Sequence, residues 1–343
     1  MYHAAVKERV RITDVSPRDG LQNEPGIIPT ADKVRLIELL CATGVDEIEV
    51  TSFVSPKWVP QLGDAADVVR GLLSLPLQEG GWGVGSAAWP PPGGRGLRKP
   101  ILLSALVPND QGLQAALNAN RSAQRSLVGK ISVFTAASET FSQKNTNASI
   151  AGTIERFKPV IARAHAEGLP VRAYLSCVIA CPFEGTLGPE KVVSVCRQLS
   201  DLGVDELDLG DTIGAGTPET IAALLRDLDR QVPIRGGRVP ITLHLHDTFG
   251  RAAECVKAAL DLGIRSFDGS VAGLGGCPYA SKKLPDGTIQ RAPGNISTEL
   301  LVRTIHDAGY ETSVDPSKLD FAGDFAREIV AKSRRAPPPG ASA

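Results

Sequence analysis

The chain has 343 residues, of which 42% are hydrophobic and 22% are charged, and its formal net charge is −1. This near-neutral balance, without a long run of lysine and arginine, argues against nucleic acid or an anionic membrane as the main partner. No apolar run reaches the ~20 residues of a membrane span, and the first ten residues lack the apolar stretch of a signal peptide. Six cysteines without paired spacing are typical of reduced intracellular thiols. We therefore expect a cytoplasmic protein.

Eight apolar or alternating runs recur along the chain, separated by segments with apolar residues at helical spacing. The predicted strands are residues 10–15, 47–51, 101–107, 130–135, 171–176, 206–209, 241–246 and 266–271. Four glycines follow the intervening segments, where the C-terminus of a helix favours a left-handed backbone: Gly44, Gly168, Gly203 and Gly263. Strict alternation predicts a parallel sheet, and eight units close an α/β (β/α)₈ TIM barrel. A doubly wound open sheet is the alternative, but the first turn, SPRDGLQNEPG, is not G-x-G-x-x-G.

Residues 1–332 are predicted to form one catalytic barrel domain. The Gly/Pro-rich residues 76–100 are predicted to be a long surface loop. This loop lies between a helix and a strand, which in a barrel is the face opposite the active site, so we expect no catalytic role for it. Residues 333–343 are predicted to be a disordered tail.

Polar residues of the kinds used in catalysis follow the predicted strands rather than precede them. They are Arg18 and Asp19 after the first strand, Glu49 near the end of the second, Ser176 and Cys177 at the end of the fifth, Asp211 and Thr212 after the sixth, and His244 and His246 at the end of the seventh. The turns that lead into the strands carry nothing comparable. Since active sites of such barrels lie at the C-terminal ends of the strands, we expect the site there.

The stretch ITLHLHDTFG places His244 and His246 two apart on a strand, so both side chains face the same way. Two neutral imidazoles with the Asp19 carboxylate predict a divalent-ion site, and an oxygen-rich completion of the shell favours Mg²⁺ or Mn²⁺ over zinc. The alternative is a pair of hydrogen-bonded core histidines without a ligand. Asp247 points away from both and is predicted to orient the loop or to cap a helix beginning near Thr248.

Five stretches resemble one family, in the same order along the chain. They are SPRDGLQNE, TSFVSPKWVPQLGD, LGDTIGAGTP, HLHDTFG and SVAGLGGCPY. The chain is identified through them as similar to the 3-hydroxy-3-methylglutaryl-CoA (HMG-CoA) lyases, metal-dependent TIM-barrel acyl-CoA lyases, from about residue 10 to about residue 309. The resemblance implies cleavage of HMG-CoA to acetyl-CoA and acetoacetate, with leucine degradation as the usual setting, and a homodimer.

The resemblance also implies roles for individual residues. The metal ligands would be Asp19, His244, His246 and Asn295; the catalytic group would comprise Cys277, Arg18, Glu49 and Asp19; substrate contacts would come from Arg18, Gln22, Ser176 and Thr212. Arg18 would stabilise the thioester enolate, and a thiol that keeps its proton at neutral pH would reprotonate it. The identity of the general base stays open between Asp19, a metal-bound water and one of the histidines. Without the resemblance, Cys277 reads equally well as a structural thiol, and Asp211 and Thr212 as turn-capping residues.

The link between Cys277 and Asn295 is longer than in the family. Its segment LPDGTIQ predicts a hairpin with Asp286 and Gly287 at the tip, whose ends return so that Asn295 keeps its place and caps the last helix. Residues 281–283 would meet the CoA phosphates or form a solvated charged loop. The insertion leaves a larger 3-hydroxy-3-alkylglutaryl-CoA open as substrate. A condensing enzyme of the same group is a further alternative, although such enzymes carry Gly-Glu-Arg where this chain has Gly-Gly-Cys-Pro. The last alternative is a barrel that acts as a non-catalytic subunit.

Overall fold

Eight parallel strands close into a barrel in chain order in the computed structural model, which describes residues 7–74, 101–232, 239–277, 282–283, 289–290 and 292–335. We number the barrel strands β1 Arg11–Asp14, β2 Glu47–Ser52, β3 Leu102–Leu106, β4 Lys130–Ala136, β5 Val171–Ser176, β6 Glu206–Asp211, β7 Ile241–Leu245 and β8 Ser266–Gly269. Parallel pairing of β1 with both β2 and β8 completes the circle. The predicted barrel is confirmed, and the open sheet was wrong.

Ten helices of the described chain surround or cover this barrel. They are α1 Thr30–Thr43, α2 Ala65–Gly71, α3 Asp110–Ser122, α4 Glu139–Thr146, α5 Ile150–Ala166, α6 Pro189–Asp201, α7 Pro218–Gln231, α8 Ala252–Asp261, α9 Thr298–Asp307 and α10 Pro316–Arg335. The four glycines predicted at helix ends all have positive φ. At Gly44 a Cβ would lie 2.3 Å from the carbonyl oxygen of Ser313, so the chain needs glycine there for space as well as for backbone freedom. None of the described helices is both long and apolar enough to cross a membrane.

The barrel interior contains a set of charges near the N-terminal ends of its strands. We call Glu47, Lys130, Arg172 and Glu206 the basal ionic layer. All four are at most 2% exposed. Lys130 Nζ lies 2.9 Å from Glu47 and also contacts Glu206, while Arg172 Nη2 lies 3.3 Å from Glu47 and 2.8 Å from Glu206. These side chains belong to the first residues of β2, β4, β5 and β6, so buried charge lies at the N-terminal end of the barrel as well as at the mouth.

The C-terminal end of the chain differs from its prediction. Residues 333–335 belong to α10 rather than to a disordered tail, and the rest of the predicted tail lies outside the described residues. Arg334 reaches Glu24, in the segment after β1, with both donors at 2.8 Å from the carboxylate oxygens. This bidentate pair fixes the last turn of the helix. The predicted loop 76–100 also lies outside the described residues.

Candidate active site

Arg18 and Asp19 lie on a single π-helical turn, Ser16–Gly20, that directly follows β1. Asp14 anchors this turn, since its Oδ1 accepts the backbone N–H of Ser16 at 2.9 Å and its Oδ2 accepts the hydroxyl of Thr298 at 2.6 Å. Irregular turns of this type are frequent at functional sites because they redirect side chains that a regular helix would place elsewhere. Here the turn aims Arg18 and Asp19 over the C-terminal mouth of the barrel.

Arg18 is held in place from several sides. Its Nε donates to Glu49 Oε2, and its Nη1 donates to Asp19 Oδ1 at 2.8 Å. Glu49 also accepts the hydroxyls of Ser132 and, at 3.2 Å, of Tyr174, whose ring centroid lies 5.2 Å from the guanidinium carbon. Burial lowers the pKa of Arg18, but Glu49 and Asp19 outweigh it and raise the pKa above its ordinary value. The site therefore holds a permanent positive charge in one orientation.

Asp19, His244 and His246 converge at the mouth. One potential ligand atom from each lies within 4.8 Å of the others, and the two Nε2 atoms are 3.3 Å apart. Burial, and then the neighbouring His244, lower the pKa of His246 to about 4, so its imidazole is neutral at neutral pH. Burial opposes ionisation of Asp19, but Arg18 and the two imidazoles lower its pKa to about 2. A carboxylate and two imidazoles facing one another form a donor set that fits a divalent cation.

Asn295 joins this group, as predicted. Its side-chain nitrogen donates to Asp19 Oδ2 at 2.8 Å and to the carbonyl of Leu274 at 2.9 Å. The backbone bridge between Asn295 and His246 shows that the long link after Cys277 does return to the barrel. The predicted helix cap was wrong, however: Ser297 caps α9 through the N–H of Leu300, and α10 follows as the last helix described. The Asn295 amide is already engaged at the mouth, so the cap falls to the next available side chain.

Cys277 is 7% exposed and follows a loop with an unusual backbone. Ala272, Gly273, Gly275 and Gly276 all have left-handed φ, between 59° and 125°. At Gly275 a Cβ would lie 2.6 Å from Asn295 Nδ2 and 3.0 Å from Asp19 Oδ2. Only glycine allows the backbone to approach the mouth this closely. Cys277 follows two positions after Gly275, the point of closest approach.

The remaining link is described in part. Residues 282–283 and 289–290 pair as antiparallel strands, which confirms the predicted hairpin. Its tip, Asp286 and Gly287, and Ser281 lie outside the described residues, as do the side chains of Lys282 and Lys283.

The predicted substrate contacts lie around the mouth. Gln22 follows the π-helical turn, Ser176 ends β5, and Thr212 follows β6, all of them half-buried. The Thr212 hydroxyl accepts the backbone N–H of Cys177 at 2.8 Å and so supports a residue with a φ of 62°. Burial, then Cys181 and Cys277, raise the pKa of Cys177, which agrees with a thiol enclosed near Cys277.

Two aspartates near the mouth fix turns. Asp211 accepts the backbone N–H groups of Ala215 at 3.0 Å and Gly216 at 2.7 Å, in agreement with the turn-capping alternative. Asp247 accepts the N–H of Ala252 at 2.9 Å and therefore caps α8. This helix begins at Ala252, four residues after the predicted start, because the chain first makes a turn around Gly250 with a φ of 69°.

Sequence reasoning missed several residues that support the site. Ser132 and Tyr174 hold Glu49, while Asp208 and Asp268 lie below His244. The available signal was a polar residue inside an otherwise buried strand, such as Asp268 in the stretch SFDG, where an unpaired charge would be unfavourable.

Comparison with known proteins agrees with this geometry. The family model described as HMGL-like matches residues 9–325. The mitochondrial hydroxymethylglutaryl-CoA lyase of Gallus gallus is 41% identical over 321 residues, which cover 94% of this chain and 93% of that protein.

Solved structures agree as well. The HMG-CoA lyase of Brucella melitensis has a TM-score of 0.78 and 41% identity, covering 94% of this chain and 99% of that one. An HMG-CoA lyase of Acinetobacter baumannii, in complex with coenzyme A and 3-methylmalate, has a TM-score of 0.76 and 27% identity, covering 98% and 97%. The chain therefore belongs to the HMGL-like family, among the HMG-CoA lyases.

Proposed function

We propose that this chain catalyses the divalent-metal-dependent cleavage of HMG-CoA to acetyl-CoA and acetoacetate. The observation that carries the proposal is the convergence of Asp19, His244 and His246 beside a buried, ion-paired Arg18. The reaction breaks a carbon–carbon bond and leaves negative charge on a thioester enolate. It therefore needs a site for the hydroxyl and carboxylate of the substrate and a fixed cation for the enolate oxygen.

The residues that would hold the metal are Asp19, His244, His246 and Asn295. We propose Mg²⁺ or Mn²⁺, because a carboxylate, an amide and water beside two imidazoles suit these ions better than zinc, which more often takes a cysteine or a third histidine. When bound, such an ion lowers the pKa of a chelated hydroxyl and fixes its orientation. Asp19 and the two imidazoles are also the acceptors at hand for the hydroxyl proton.

Arg18 would stabilise the enolate at the thioester oxygen. Its guanidinium is charged at any working pH and is held by Glu49 on one side and Asp19 on the other. Because the donor is oriented before the substrate arrives, no reorganisation is needed as charge develops. Glu49 thus acts on Arg18 by fixing its direction, supported by Ser132 and Tyr174.

Cys277 would supply the proton that the enolate carbon needs to become the methyl group of acetyl-CoA. It lies beyond Gly275 and Gly276, whose backbone reaches the mouth at Asn295. A protonated thiol is a competent general acid at neutral pH. The neighbouring Cys177 is too deeply buried to compete for this role, since its backbone is fixed by Thr212 and its side chain is fully covered.

The substrate class is a CoA thioester, as the coenzyme A bound to the A. baumannii relative supports. Gln22, Ser176 and Thr212 would contact its acyl part from the rim of the mouth. We further propose a homodimer in the cytoplasm and a role in leucine degradation. The oligomer is tested by equilibrium sedimentation, where a mass equal to that of one chain would contradict the dimer.

The direct test is acetyl-CoA release from HMG-CoA by the purified protein with Mg²⁺ or Mn²⁺, against the same protein with EDTA. The expected result is release that EDTA stops and added metal restores. For a variant that lacks the Cys277 thiol, Cys41→Ala is the matched control, since Cys41 lies on α1 at the outside of the barrel. Absence of release with metal supplied would contradict the proposed substrate.

A second candidate substrate is a larger 3-hydroxy-3-alkylglutaryl-CoA. The observation that favours it is the long link that leaves the mouth at Cys277 and returns at Asn295, so that an insertion borders the site. Bulkier analogues in the same assay separate the two candidates by their kcat/KM values. The non-catalytic interpretation predicts loss of a ligand or of the thiol, whereas the chain keeps all of these residues.

A further inference from the structure

His244 lies between the mouth and the charges beneath it. Its Nδ1 is 3.1 Å from Asp268 Oδ2, while its Nε2 points toward Nε2 of His246. The register of the barrel creates the first contact, because Asp268 on β8 is the direct partner of His244 on β7. An imidazole that donates from Nδ1 to a carboxylate keeps Nε2 free as an acceptor and cannot rotate without breaking that bond.

Asp268 is itself held from below. Its Oδ1 accepts Arg172 Nη1 at 3.0 Å, and its Oδ2 accepts the hydroxyl of Tyr174 at 3.4 Å. Burial raises the pKa of Asp268, but Arg172 and His244 outweigh it and lower the pKa below its ordinary value. Asp268 is therefore an anion at 2% exposure, fixed by one cation from β5.

Asp208 contacts the same guanidinium nitrogen, with its Oδ2 3.1 Å from Arg172 Nη1. Burial, and then the adjacent Asp268 carboxylate, raise the pKa of Asp208 well above its ordinary value. Asp208, Asp268 and His244 also form a compact group of potential metal ligands. Both carboxyl groups already contact Arg172, so we do not interpret this group as a second ion site.

We propose that Asp268 is a positioning residue of the metal site: it holds His244 in the tautomer and orientation that present Nε2 to the metal, and Arg172 holds Asp268 in turn. This inference rests on the proposed metal-dependent function, but it concerns a residue that touches neither metal nor substrate. It makes metal affinity depend on a carboxylate below the ligands. Loss of such a partner typically weakens metal binding about 10- to 100-fold.

The first test titrates Mn²⁺ into metal-free protein, followed by electron paramagnetic resonance of the free ion. Asp268→Asn is expected to weaken Mn²⁺ binding about 10- to 100-fold with its thermal unfolding still cooperative. Asp205→Asn is the matched control, because Asp205 also pairs with an imidazole, that of His165, but at an exposed position before the start of β6. We expect its Mn²⁺ affinity to match that of wild type. Wild-type affinity in Asp268→Asn would overturn the inference.

The second test needs no variant with an altered core. In ¹⁵N spectra of the metal-free wild-type protein, His244 is expected to carry a proton on Nδ1, facing Asp268, and a ring with its proton on Nε2 alone would overturn the inference. The two proposals fail separately. A wild-type protein that binds no Mn²⁺ would refute the proposed metal site while the tautomer still tests Asp268, whereas normal Mn²⁺ binding in both wild type and Asp268→Asn refutes only the positioning role.

Discussion

The basal ionic layer and the mouth both bury charge inside the same barrel, but they pair it in different ways. At the base each cation meets at least two carboxylates: Lys130 contacts Glu47 and Glu206, and Arg172 contacts both as well. At the mouth, Asp19 pairs with Arg18, but its carboxylate and the ring nitrogens of two imidazoles also face one another, and all three can act as acceptors. A buried charge with opposite partners is explained by stability, whereas acceptors that converge need something positive between them. The difference identifies which polar cluster is the site.

The largest effect is expected from the thiol at the mouth. Cys277→Ala removes the proposed proton donor and should lower kcat by about 10²- to 10⁴-fold, the usual contribution of general acid–base catalysis. The side chain is small and lies on a loop, so thermal unfolding and Mn²⁺ affinity should match those of wild type. Near-normal turnover in this variant, measured as acetyl-CoA release, would remove the thiol from the mechanism.

A change in the basal ionic layer should lower the free energy of unfolding. Arg172→Met leaves the carboxylates of Glu47, Glu206 and Asp268 without their shared cation, and we expect a loss of about 3–5 kcal/mol in the free energy of unfolding. Urea denaturation measures this loss. Arg70→Met is the matched control, since Arg70 pairs with Asp67 on an exposed helix surface, where such pairs contribute about 0–1 kcal/mol. Equal stability of the two variants would show that the basal ionic layer does not stabilise the fold.

A Glu49 variant tests whether turnover depends on the orientation of Arg18 as well as on the metal ligands. Glu49→Gln keeps the size of the side chain but removes the charge that fixes Arg18. A charge-assisted hydrogen bond contributes about 1.5–3 kcal/mol, so kcat/KM should fall roughly 10- to 100-fold. Mn²⁺ affinity should change little, because Glu49 is not among the proposed ligands. A loss of metal binding equal to the loss of turnover would contradict this division of roles.

The smallest effect is expected at Thr212. Thr212→Val removes the acceptor of the Cys177 backbone N–H while keeping the shape of the side chain. An unsatisfied buried donor costs about 1–3 kcal/mol, and the left-handed φ of Cys177 loses its support. Thermal unfolding should therefore occur at a lower temperature, with KM raised modestly in the acetyl-CoA assay. A change in kcat as large as that of Cys277→Ala would instead place Thr212 in the chemistry.

Much of the fold was predictable because the barrel repeats one pattern. Alternating strands and helices repeat the same local signal eight times, four glycines mark helix ends, and closure follows from the count of strands. The mouth was predictable for a related reason: His244 and His246 share a face of one strand, and the strand ends converge. Asp19 was predicted at the mouth because it follows the first strand, whereas Asn295, far along the chain, required the resemblance to known lyases.

The basal ionic layer and the contacts that support the site residues were not predictable in the same way. Lys130 and Glu206 each stand at the first position of a strand, so each looks like a solvated end of an element rather than an inward charge. Asp268 faces His244 only because β7 and β8 pair in one register, and a register is a property of two distant segments. The cap at Ser297 was missed because Asn295, an equally good capping residue by type, is drawn to Asp19 instead.

The most direct test of the account compares stoichiometric Mn²⁺ binding in wild-type protein and in the double variant His244→Ala/His246→Ala. The account predicts one Mn²⁺ per wild-type chain and none in the double variant, with the basal ionic layer still intact and unfolding still cooperative. Unchanged binding in the double variant would show that the metal lies elsewhere and would contradict the assignment of the mouth as the active site.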